Sequence, residues 1–161
     1  MPAGVPFPTT IDALPFGITG TTVGLSNDHA ALGCGFDVGG ATGLPDAVYE
    51  FTATSSGTFR IANPSFEDGE GPSLYSIHES CDDIGNTCVA GDDFFGNPNA
   101  FIDVNITADT SYVIVVDSYD GSEVGSYELT VTQTCTAACE GSCGTCEGPS
   151  TCGAAGLCES S

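Results

Sequence analysis

Short apolar runs of period 2, each closed by a cluster of Gly, Pro, Asn or Asp, recur through most of this chain and constrain its fold more than any other feature. Alternation turns successive side chains to opposite faces of a strand, whereas a helix needs apolar residues three and four apart. The predicted strands are residues 21–25, 47–52, 58–62, 74–78, 101–106, 112–117 and 127–132. No segment carries a convincing helical period. Short strands at this spacing predict an all-β fold, an antiparallel β-sandwich of jelly-roll-like type.

The alternation also assigns faces. Ile102, Val104 and Ile106 are expected inward and Asp103 and Asn105 outward, while Tyr127, Leu129 and Val131 alternate with Glu128 and Thr130. Asp120-Gly121 and Ser55-Ser56-Gly57 fall between strands, where glycine is expected to supply the positive φ of a hairpin turn. The period ends after Gln133. The chain therefore divides into an N-terminal extension over 1–8, a sandwich domain over 9–133 and an irregular, disulfide-rich C-terminal tail over 134–161.

Arg60 is the only Lys or Arg against 22 Asp plus Glu, a formal net charge of -21. Nucleic acid and anionic membrane surfaces are excluded as partners, because binding either requires Lys and Arg to neutralise phosphates. No segment approaches the roughly 20 apolar residues of a membrane span, so no membrane insertion is expected. Met1-Pro2-Ala3-Gly4 has neither the basic start nor the apolar stretch of a signal peptide, and the sequence reads as a mature product or fragment.

Catalysis is not expected. There is no G-x-S-x-G and no H-E-x-x-H, and His29 and His78 lie in different parts of the chain with no nucleophile marked out for either. The acidic stretch with Asp92, Asp93, Asn97 and Asn99 is a better candidate for calcium, which takes about six to eight oxygen ligands. Asn105-Ile106-Thr107 is a glycosylation sequon on an outward position.

Nine cysteines without zinc-type Cys/His pairing point to an oxidising compartment, extracellular or at the cell surface. Cys81 and Cys88 flank a loop short enough to be bridged. Cys34 stands alone, and Cys135, Cys139, Cys143, Cys146, Cys152 and Cys158 crowd the tail. Either the tail set pairs internally and leaves Cys34 single, or Cys34 pairs with one of them and another is left over. Cys143-Gly144-Thr145-Cys146 has C-x-x-C spacing, but with no second pair and no tail histidine, disulfides are favoured over metal.

Several stretches, in order, resemble the bacterial pre-peptidase C-terminal domain, a secreted β-sandwich. They are Thr10-Ile11-Asp12-Ala13-Leu14-Pro15-Phe16 with Gly20-Thr21-Thr22, Leu44-Pro45-Asp46-Ala47-Val48-Tyr49-Glu50-Phe51-Thr52 with Gly57-Thr58-Phe59, Cys81 and Cys88 followed by Asp92-Asp93, and the closing pair Ser111 to Asp117 and Gly125 to Val131. The resemblance implies a Cys81–Cys88 disulfide and adds Asp46 to the candidate calcium ligands.

Two functions follow. The first is a non-catalytic extracellular structural protein that assembles with itself into a filament or surface layer, stabilised by disulfides and calcium. Residues 9–14 would add as a strand to a neighbour's sheet edge, and the tail would supply further contacts. The alternative, carried by the resemblance, is an accessory binding or targeting module of a secreted enzyme.

Overall fold

The computed structural model describes residues 8–29, 34, 44–65, 71–97, 99–134, 150–152 and 158–160. Nine strands build two sheets: β1 (Thr9–Ile11), β2 (Phe16–Thr21), β3 (Ala47–Thr52), β4 (Gly57–Ala62), β5 (Leu74–His78), β6 (Cys88–Asp93), β7 (Phe101–Ile106), β8 (Ser111–Asp117) and β9 (Ser126–Thr134). One sheet has the order β1-β3-β8-β5-β6 and the other β2-β9-β4-β7. All these pairings are antiparallel except β1 with β3, which is parallel. In the tail, β10 (Ser150–Cys152) and β11 (Cys158–Ser160) form an antiparallel pair in which Cys152 and Cys158 are register partners. The segment before Pro8 and Cys135, Cys139, Cys143 and Cys146 lie outside the described residues.

The two sheets close over one apolar core. Tyr49 and Phe51 of β3, Tyr75 and Ile77 of β5, and Tyr112, Ile114 and Val116 of β8 meet Phe59 and Ile61 of β4, Ile102, Val104 and Ile106 of β7, and Tyr127, Leu129 and Val131 of β9. The inward assignments for β7 and β9 hold. Tyr49 and Tyr127 meet across the core with their hydroxyls 2.6 Å apart, one donating to the other.

Strands β5 and β8 depart from simple alternation, because they are buried on both faces. The outer face of their sheet carries a second cluster, Leu74, Val113 and Val115, covered by Ile84 from the β5–β6 loop. This covered outer face positions the chemistry described below.

The first predicted strand is displaced. Residues 22–25 form a turn with Gly24 at φ 82°, and the strand lies earlier, at Phe16–Thr21, where it pairs with β9 along its whole length. β6 was not anticipated, since its Gly and Asp residues disfavour strands on propensity alone. Residues 9–11 pair with β3 of their own chain. Gly121 does not have a positive φ; its turn is built by Asp120, whose Oδ1 accepts the Ser122 N–H at 2.7 Å. Gly71 is required for another reason: a Cβ there would clash with the Ser126 carbonyl oxygen.

Candidate metal centre

Asp46 immediately precedes β3 and Asp117 ends β8. Ala47 is the register partner of Val116, so Asp46 and Asp117 stand next to each other at the ends of adjacent strands, close enough for the Asp46 charge to act on Asp117. Both are buried, at 2% and 1% exposure. The 26–29 loop wraps Asp46: its N–H donates to the Ser26 carbonyl at 3.1 Å, and its Oδ2 accepts the N–H groups of Asp28 at 2.9 Å and His29 at 2.8 Å. Its other oxygen, Oδ1, is buried without a hydrogen-bond partner, as is Oδ1 of neighbouring Asn27. Asp117 Oδ1 accepts the Ser118 N–H at 2.7 Å.

Burial raises the pKa of both acids. For Asp46 the two backbone N–H bonds oppose the rise, and for Asp117 the charge of Asp46 adds to it, taking it to about 7. Arg60 gives no relief. It lies on the other sheet, where its Nε and Nη2 donate to the two Asp103 oxygens at 2.8 Å each and its guanidinium sits 3.5 Å above the Phe101 ring. By contrast the buried Glu123 is satisfied, accepting from Ser73 Oγ at 2.7 Å and the Tyr119 N–H at 2.9 Å.

Two buried carboxyl groups and two orphaned oxygens make an oxygen-rich, acidic donor set, the chemistry that suits a hard divalent cation such as calcium. The residues that fit such an ion are Asp46 and Asp117, with Asn27, on the loop that wraps Asp46, the further candidate. Asp117 and Asn27 were not singled out by sequence reasoning. The available signal for Asp117 was an acid closing a strand that is otherwise apolar from Tyr112 to Val116.

The other expected calcium ligands lie elsewhere. Asp92 and Asp93 sit on β6, with β8 and β5 intervening before β3, roughly 14 Å from Asp46 at ordinary strand spacing. As neighbours on a strand they point to opposite faces. Asp92 Oδ1 accepts the Asp93 N–H and Asp93 Oδ1 the Phe95 N–H, both at 2.9 Å, so they act locally in shaping the β6–β7 turn. Asn97 and Asn99 are exposed in that turn. Asn105 is exposed on β7, its Oδ1 accepting Thr58 Oγ1 at 3.0 Å.

The cysteine pairing differs from expectation. Cys34 is bonded to Cys88, and Cys81 is an exposed free thiol. The intervening loop folds on itself, with Asn86 and Thr87 N–H groups on the Asp83 carbonyl and Ile84 packed inward, which leaves Cys81 outside. Burial, then Asp82, Glu50 and Asp46, push the Cys81 thiol pKa up.

His78 is a strand histidine. It is fully buried at the far end of β5, with Nε2 2.8 Å from Ser76 Oγ, also fully buried. Burial lowers its pKa to about 4, so the ring is neutral. The contact follows from their spacing of two on one strand, which places both on one face. A serine and a histidine meet here, but both side chains are fully buried and open to no substrate.

No family model matches the chain, and no curated protein matches it. Among solved structures it is similar to the pre-peptidase C-terminal domain of collagenase from Bacillus anthracis, at 24% identity and a TM-score of 0.46, covering 77% of this chain and 93% of that one. That domain is of the kind its sequence motifs resemble.

Proposed function

We propose that this chain is a non-catalytic, extracellular accessory module, a β-sandwich whose Asp46–Asp117 centre takes a divalent cation of calcium type and so fastens the 26–29 loop to the sheet. The observation that carries this reading is a pair of adjacent, buried carboxyl groups with an unpartnered oxygen and no Lys or Arg to neutralise them. The Cys34–Cys88 bond supports an oxidising compartment. The sealed Ser76–His78 pair supports the absence of catalysis. The ordered motifs between residues 9 and 132 support the accessory role. Thermal unfolding tests the reading: calcium at about 100 times its Kd should add about 2.7 kcal/mol. For a domain of this size that raises Tm by about 5 to 10 °C. An unchanged Tm in calcium and in chelator would remove the cation from the account.

A second reading, self-assembly into a filament or surface layer, draws on Cys81, an exposed thiol able to join two copies. Non-reducing electrophoresis of the wild type against Cys81→Ser tests it. A monomer in both would remove it.

A further inference from the structure

At the other end of the same covered face, about four residues or roughly 13 Å along β5 from the Asp117 row, lies a second donor cluster of different chemistry. His78 is the register partner of Cys88 across the β5–β6 ladder, and the disulfide brings Cys34 to the same point. The two sulfurs and a ring nitrogen of His78 lie within 4.8 Å of one another. Ser76 Oγ contacts Nε2 of the imidazole, and the Ile84 backbone also bears on the ring, although Nδ1 has no partner at good hydrogen-bond geometry. A fully buried imidazole beside two sulfurs is the donor set of a metal site.

We propose that opening the Cys34–Cys88 bond creates a Cys2His site for a borderline-soft divalent cation of zinc type, with Cys34 and Cys88 as thiolates, His78 as a neutral imidazole and water completing the set. Donors held about 2.0 to 2.3 Å from one zinc stand roughly 3.5 to 3.8 Å apart, so the released sulfurs need to separate by less than about 2 Å. Cys34 and Cys88 are partly exposed, which gives the ion a way in. The step balances with a dithiol reductant: the reductant closes to its own disulfide and hands two electrons and two protons to the S–S bond. The two thiols then release those protons as the cation binds. A disulfide oxidant reverses both steps: it takes two electrons from the thiolates and two protons from solvent to become two thiols, and the closing S–S bond expels the ion. The site thus guards the two sulfurs in the reduced chain before their bond closes. It is independent of the Asp46–Asp117 centre, whose hard oxygens suit a different class of ion.

Cobalt(II) is the probe. The full chain is prepared with its other seven cysteines changed to serine and reduced with a phosphine, which takes oxygen from one water as it delivers the electrons and protons. The expected result is one cobalt per chain with a thiolate-to-cobalt charge-transfer band, absent from the oxidised protein and weakened at least about tenfold in His78→Gln. No band on reduction, or a band unchanged by His78→Gln, overturns the proposal. Should His78→Gln fail to fold, a spin-half cadmium isotope replaces cobalt in the chain with His78 intact. Coupling from cadmium to an imidazole nitrogen supports the site, and its absence from the bound protein overturns it.

Discussion

Asp46 and Asp117 stand next to each other, both buried, at the ends of β3 and β8. The chain's only arginine is held by Asp103 on the opposite sheet. Either a proton or a cation must offset the repulsion of the two carboxylates, and the two compete for the same oxygens.

In chelator, the proton prevails. The folded pKa of Asp117, about 7, lies above its ordinary value of 3.8. Its contribution to stability is therefore full below about pH 4 and is lost as pH rises through about 7. A difference of about three units corresponds to about 4 kcal/mol as an upper order of magnitude. Circular-dichroism melts in chelator should give a lower Tm at about pH 8 than at about pH 5.

Asp117→Asn separates this carboxyl from the general self-repulsion of an acidic protein. It should raise Tm in chelator at about pH 8, flatten the pH dependence there, and abolish most of the gain from calcium. A variant that keeps the full calcium response would place the cation elsewhere.

Tyr49→Phe or Tyr127→Phe leaves a buried hydroxyl without its partner and should cost about 1 to 3 kcal/mol in urea unfolding. The double Phe variant should lose less than the sum of the singles, since no polar group is then stranded.

The Cys34–Cys88 bond closes a loop with a sequence separation of 54. Cys34→Ser should destabilise the chain by roughly 4 kcal/mol on the chain-entropy account. Peptide mapping without reduction should yield a linked Cys34–Cys88 fragment, with Cys81 open to alkylation.

Period-2 alternation made β3, β4, β7 and β9 legible, because each packs one set of alternate residues on the core, while β5 and β8, buried on both faces, were legible as short apolar runs between turn residues. It failed for β2 and β6, whose Gly17, Gly20, Gly91 and Asp92 carry little strand propensity and are held by pairing with neighbouring strands. Of the site, only Asp46 was legible, through a family resemblance. Its partners depend on strand register and on a loop folding back, and neither is written in local sequence. Cys88 lay in the same position: proximity along the chain favoured Cys81, whereas the sheet turns it toward Cys34.

The most direct measurement is calorimetric titration with calcium near neutral pH in buffers of different ionisation enthalpy, which counts bound ions and released protons together. One calcium per chain is predicted, displacing a proton from the Asp46–Asp117 pair, with the number released falling as pH rises through about 7. No binding, or binding with no proton release at any pH across that range, would contradict the account.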